Sequence, residues 1–278
     1  MSVASYPIVD WDDAYANTIH IADGAAYPQR RTARAAAFRE ELASVGKARL
    51  DLAYGSAPRN RLDLFYPAGP HKGLVVFIHG GFWRAFDKSS WSHLAAGSLN
   101  AGFAVAMPSY TLCPEARIAG IAGEIAAAIA FVGKEVPGEI RLCGHSAGGH
   151  LATRMICEAS PLGEETIARI ARIVSISGLH DLRPLIATKM NEALRIDQQE
   201  AKLESPALLK PRPNQSVACW VGADERTEFI RQTRILAAMW NGFDARMTLV
   251  EEPGRHHFNV IDGLTEADHP LTRALLGG

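Results

Sequence analysis

The chain has 278 residues, 47% of them hydrophobic and 21% charged. That composition excludes a disordered tail, a collagen-like repeat and a disulfide-stapled miniature, and a chain of this length does not lack for core. With 29 Lys+Arg against 30 Asp+Glu the formal net charge is −1. Nucleic-acid readers carry a clear basic excess, so no nucleic-acid partner is expected.

Residues 1–11 hold no basic stretch followed by an apolar one, so no secretory signal is expected. Residues 1–45 read as a helical extension outside any sheet. Within it Arg30, Arg31, Arg34 and Arg39 are followed at once by Glu40 and Glu41, the pattern of a solvated helix face. Residues 49–54 and 61–66 alternate polar and apolar around a turn and predict an antiparallel hairpin at a sheet edge. The continuous apolar run 74–78 predicts a strand buried on both faces. Runs at 103–107, 140–143, 173–176, 217–221 and 247–250 repeat the theme.

Between these runs lie amphipathic helices. Trp91, Leu94, Ala95 and Leu99 share one face, with Ser89 or Ser90 as a cap. Ile118, Ile121, Ala122, Ile125, Ile129 and Val132 keep one phase over four turns, and 228–241 reads as a third helix. The window 118–132 is too short for a bilayer and is broken by Glu124, so no membrane partner is expected. Strand and helix alternate as in a mostly parallel sheet covered on both faces. Residues 178–214 are too long for a simple crossover and predict a small cap insertion, with a lid as its suggested role. The whole of 1–278 is expected to form a single domain. Cys113, Cys143, Cys157 and Cys219 lack paired spacing, which fits a reduced cytoplasmic setting.

Gly144-His-Ser-Ala-Gly148 follows the strand at 140–143 and precedes a helical run. A strand-to-helix turn that exposes a Ser in a strained position is a nucleophile elbow, so Ser146 is the candidate nucleophile. His79-Gly-Gly-Phe82 ends the strand at 74–78. Its glycines let backbone N–H groups approach a developing oxyanion. The expected donors are the N–H groups of Gly81, Phe82 and Ala147. An acid and a His should follow in that order. Asp224 comes first after the strand at 217–221 and is preferred over Glu225 and Glu228. His256 and His257 are adjacent and cannot both face one site. His79 is expected to brace the oxyanion loop and His150 to pack at the next helical turn. No HExxH or other ligand spacing suggests a metal, and no GxGxxG follows a strand, so no cofactor is expected.

These motifs resemble the α/β-hydrolase superfamily. Within it, His79-Gly-Gly-Phe-Trp-Arg-Ala-Phe-Asp-Lys88, Pro108-Ser-Tyr-Thr-Leu-Cys-Pro114, Ser177-Gly-Leu-His-Asp-Leu-Arg-Pro184, Ser205-Pro206, Gly222-Ala-Asp-Glu225 and His257-Phe258 are similar to the kynurenine formamidase (arylformamidase) branch. The similarity runs from about residue 60 to 264. The resemblance implies an α/β-hydrolase fold with a mostly parallel eight-stranded sheet, helices on both faces and a small cap. In that branch the catalytic His directly precedes Phe, which favours His257. The implied activity is hydrolysis of N-formyl-L-kynurenine to L-kynurenine and formate, a step of tryptophan catabolism, through Ser146, Asp224 and His257. A short-chain carboxylesterase is the alternative, and a non-catalytic binding protein of the same fold is a third reading. Trp83 and Phe86 are expected to line an aryl pocket, and Trp91 either to join them or to pack in the core, toward which its helical phase points. Arg84 or Lys88 is a candidate for a substrate carboxylate. A histidine base would make activity fall as pH drops through roughly 6–7. The partner is a small-molecule substrate, with a homodimer left open.

Overall fold

The computed structural model describes residues 10–277, so the part of the expected extension at 1–9 lies outside the described residues. Its eight strands are β1 (Ala48–Ala53), β2 (Arg61–Phe65), β3 (Leu74–Ile78), β4 (Ala104–Pro108), β5 (Ile140–His145), β6 (Ile170–Ile176), β7 (Ser216–Gly222) and β8 (Arg246–Glu252). The longer helices are α1 (Trp11–Ala14), α2 (Tyr27–Ser44), α3 (Ala96–Asn100), α4 (Ile118–Glu135) and α5 (Ala147–Arg154). They continue with α6 (Glu164–Ile167), α7 (Asn191–Leu194), α8 (Gln198–Leu203), α9 (Thr227–Trp240) and α10 (Pro270–Leu276).

The strands form one sheet in the order β1-β2-β4-β3-β5-β6-β7-β8. β1, β2 and β4 pair antiparallel, and every pairing from β4 to β8 is parallel. The expected edge hairpin is therefore present, as are the six apolar strands. In β3 alternation decides the layers. Leu74, Val76 and Ile78 join a core with α4, α5 and α9, while Val75 and Phe77 join a second core with Trp91, Leu94 and Leu264. Burial on both faces explains why the run carries no polar residue. The predicted helix at 91–99 is a 3₁₀ turn, Ser92–Ala95, continuing into α3.

The chain leaves β3 for β4 on one side and returns to β5 on the other. The loops after β3 and β5 thus open at a switch in strand order, where open α/β sheets place their sites. The segment 178–214 contains a 3₁₀ turn at Arg183–Ala187, then α7, α8 and a second 3₁₀ turn at Pro206–Leu208. It is fastened to the body. Gln232 Oε1 accepts from the N–H groups of His180 and Asp181, buried Arg154 pairs with Glu204, and Trp240 Nε1 donates to the Pro206 carbonyl.

Lys88 is not placed to meet a substrate. Its side chain is 6% exposed, and Nζ lies 2.6 Å from Asp51 Oδ1 in β1 and 2.7 Å from Asp63 Oδ1 in β2. Asp63 is fully buried and also faces Arg39 of α2 at 3.1 Å. The loop after β3 is thereby tied to the edge hairpin, and α2 to the same carboxylate. Lys88→Met leaves the buried Asp63 carboxylate short of a cation, which is expected to cost about 3 kcal/mol. The check is a urea denaturation midpoint, and an unchanged midpoint contradicts the account.

Candidate active site

Ser146 sits between β5 and α5 with φ 55° and ψ −118°, a region that costs a non-glycine residue of order 1–3 kcal/mol. The turn is held from both sides. The Ser146 N–H donates to the Ile176 carbonyl at 2.8 Å, and the Ser146 carbonyl accepts from His150 N–H at 3.1 Å. A Cβ at Gly148 would lie 1.9 Å from the Ile78 carbonyl oxygen. That position admits only glycine if α5 is to start against the end of β3.

The loop after β3 is equally unusual, with φ of 117° at Gly81, 50° at Phe82 and 55° at Trp83. The N–H groups of Gly81, Phe82 and Ala147 find no acceptor among the described residues. His79 braces this loop. Its Nδ1 donates to the Gly80 carbonyl at 2.7 Å, and its ring stacks on Tyr110 at 4.3 Å.

The partner of His257 differs from the sequence expectation. His257 Nδ1 lies 2.7 Å from Glu225 Oε2, and the Glu225 side chain is fully buried. Its other oxygen accepts from Ser177 Oγ at 2.5 Å and Gly222 N–H at 2.9 Å. Asp224, preferred above as first after the strand, is exposed, and its carboxylate has no hydrogen-bond partner among the described residues. The reason is the turn after β7. Asp224 N–H donates to the Arg255 carbonyl at 3.0 Å and Glu225 N–H to the Gly222 carbonyl at 3.2 Å, which carries the Asp224 side chain outward and the Glu225 side chain under His257. With a carboxylate on Nδ1, the proton is assigned there and Nε2 is left as the free base atom.

His256 turns away and pairs with Tyr27, whose Oη is 3.1 Å from its Nε2. Glu228 also faces elsewhere, accepting from Tyr15 Oη at 2.8 Å and from Arg231. His145, the residue before Ser146, donates from Nε2 to the His257 carbonyl at 2.9 Å. Its ring lies 4.5 Å from that of His257.

Ser146, His145 and His257 line one cavity of about 520 Å³, together with Gly81, Phe82 and Phe86. No direct hydrogen bond joins Ser146 Oγ to the His257 ring in this structure; such contacts often tighten only with substrate bound. Phe86 lines the cavity, whereas Trp83 is fully buried with its ring 5.1 Å from His150. Trp83 therefore supports the elbow from behind. Trp91, left open between pocket and core, is buried and also lines the cavity. Nearly half of the lining comes from residues 12–31, including Tyr27 and Arg31, and the segment 178–214 supplies only Met190. The cover over Ser146 is thus the N-terminal segment, and the insertion is a buttress. Arg31 and Arg39 leave the solvated face assigned to them, one for this cavity and one for Asp63. Among the described residues no group of three or more His, Cys, Asp or Glu is placed to hold a metal, and no helix is long and apolar enough to cross a membrane.

A strand-order switch with a strained Ser at one strand end and a carboxylate-backed His at another defines an α/β-hydrolase. Residues 62–218 match the BD-FAE family, more than half of the chain, and the chain belongs to that family. It is 28% identical to the kynurenine formamidase of Salmo salar over 211 residues, covering 73% of this chain and 71% of that protein. A crystal structure from Silicibacter sp., described provisionally as a thioesterase, superposes with a TM-score of 0.91 at 47% identity, covering 96% of this chain and 99% of the other. An esterase of Pyrobaculum calidifontis has the same fold, with a TM-score of 0.67 at 16% identity over 93% of each chain. The chain is a hydrolase.

The site predicts two outcomes. Glu225→Gln is expected to lower kcat by about 10³–10⁴-fold, as for removing the carboxylate behind a catalytic His, and Asp224→Asn by less than about threefold. Steady-state kinetics decide, and the opposite ranking contradicts the geometry. Burial also lowers the pKa of His79 to about 4, of His150 and His180 to about 3, and of His145 well below its ordinary value. Unfolding lets these rings take up protons, so their contribution is full above about 6.5 and is lost as pH falls toward 4. Glu204 and Asp262, raised by burial, oppose this in the carboxylate range. The urea midpoint is expected to fall steadily from pH 6.5 to pH 4; a flat midpoint contradicts neutral buried rings.

Proposed function

We propose that this hydrolase cleaves the formamide of N-formyl-L-kynurenine, giving L-kynurenine and formate. The observation that carries the reading is the similarity to a kynurenine formamidase over nearly three quarters of the chain. The site is compatible with it. A formyl group needs almost no acyl pocket, and Phe86, Tyr27 and Phe258 offer aromatic walls for a large leaving group.

In this reading Ser146 Oγ attacks the formyl carbon while His257 Nε2 takes its proton. Glu225 holds the imidazole by its Nδ1–H and stabilises the imidazolium. The N–H groups of Gly81, Phe82 and Ala147 receive the oxyanion. The tetrahedral intermediate collapses, the C–N bond breaks and His257 returns the proton to the leaving aryl amine. Water, deprotonated by His257, then attacks the formyl ester and releases formate and Ser146.

A short-chain esterase remains the second reading, favoured by the thioesterase description of the Silicibacter structure. Comparing kcat/KM on N-formylkynurenine, p-nitrophenyl acetate and an acetyl thioester separates the two. The formamide is expected to be the best substrate, and a preference for either ester by orders of magnitude overturns the formamidase reading. Ser146→Ala is expected to lose at least about 10⁴-fold in kcat; unchanged turnover contradicts every serine-hydrolase reading, and absence of turnover in the wild type supports a binding protein.

A further inference from the structure

One group in the cavity is left over by the chemistry above. Arg31, in the second turn of α2, lines the cavity that holds Ser146 and His257. Its Cζ lies 3.6 Å from the centroid of the Trp91 ring and 4.7 Å from that of Phe86. Stacking on the indole fixes the plane of the guanidinium and excludes water from that face. Yet its Nε and Nη2, both buried, have no hydrogen-bond partner among the described residues. Buried N–H donors are ordinarily paired, and a charged fork left unpaired is costly.

The neighbouring carboxylates do not meet this need. Asp262 faces Arg34 at 3.7 Å, and its influence on Arg31 is only electrostatic. Asp12, at the cavity rim, accepts from the Lys189 N–H at 2.7 Å. Burial lowers the Arg31 pKa to about 10, so the group is charged near neutral pH. The helix that carries it is anchored. Thr32 Oγ1 lies 3.4 Å from Ser90 Oγ, and Arg39 pairs with buried Asp63. A rigidly held, stacked and unpaired guanidinium is preorganised for a planar anion such as a carboxylate, which meets it first at Nη1, the nitrogen that is neither sealed nor paired among the described residues.

We infer that Arg31 is the substrate-carboxylate receptor of this site, which selects aromatic molecules bearing a carboxylate. The inference deepens the reading of the Ser146 cavity as the substrate site. It holds whether the bond cleaved is a formamide or an ester, because the carboxylate is recognised away from the reacting carbon. Arg31 is thus a specificity residue supplied by the N-terminal segment. Arg84, the other guanidinium at the cavity, is exposed and makes no side-chain ion pair among the described residues, so it is the control.

The test is calorimetric binding to the full chain of benzoylpropionate, an aryl ketone acid, and of its neutral carboxamide. The wild type is expected to prefer the acid by about 10–100-fold, the worth of charge-assisted hydrogen bonds. Arg31→Gln is expected to reduce that preference to within about threefold, Arg31→Lys to retain part of it, and Arg84→Gln to keep it. Equal affinity of the wild type for acid and amide overturns the inference. So does a preference that survives in Arg31→Gln or is lost in Arg84→Gln. Binding is read without turnover, so failure of the formamidase reading in the kinetic comparison leaves this outcome independent.

Discussion

The backbone at Ser146 is the constraint on which the site depends. A φ of 55° with ψ of −118° turns the chain from β5 into α5 within one residue and leaves the hydroxyl projecting into the cavity. The conformation survives because its surroundings leave no alternative. A Cβ at Gly144 would lie 2.1 Å from the Gly148 carbonyl oxygen, and one at Gly148 would meet the end of β3. These two glycines let helix and sheet touch where side chains would force them apart. The same contact sets α5 beside the loop at Gly81 and Phe82, so the candidate nucleophile and candidate oxyanion donors are positioned together.

Around that turn, burial converts ordinary side chains into fixed parts. Glu225 has both oxygens engaged and a fully buried side chain. Its hydrogen bonds to Ser177 and Gly222 fix the carboxylate on its other side, which leaves one oxygen aimed at His257. His145 fixes the His257 backbone from beneath while burial keeps its own ring neutral. A second positive charge beside His257 would disfavour the imidazolium that the proposed mechanism requires.

Much of this was legible from residue order. Apolar runs mark five strands buried on the sheet's interior and the partly exposed edge strand β8, and the elbow and the HGG loop carry glycines for steric reasons that sequence displays directly. The carboxylate partner of His257 was not legible, because Asp224 and Glu225 are neighbours of like chemistry and the choice rests on two backbone hydrogen bonds in the turn after β7. Trp83 and Phe86 are both aromatics in one strained loop, and only the run of positive φ values at 81–83 and 86 sorts one inward and the other to the cavity. Arg31 reads as solvated in a helix rich in arginine. Its role emerges only when α2 is laid across Trp91. The insertion at 178–214 has the length of a lid, but its hydrogen bonds to Gln232 and Trp240 make it a support.

In the proposed mechanism Ser146 is a nucleophile activated by the His257–Glu225 pair. Its most direct test is the rate and location of covalent modification by diisopropyl fluorophosphate, followed by intact-mass and peptide mass spectrometry. The account predicts one adduct per chain, on Ser146, formed far more slowly in Glu225→Gln and at the wild-type rate in Asp224→Asn. An adduct on another residue, or labelling as fast in Glu225→Gln as in the wild type, would contradict it.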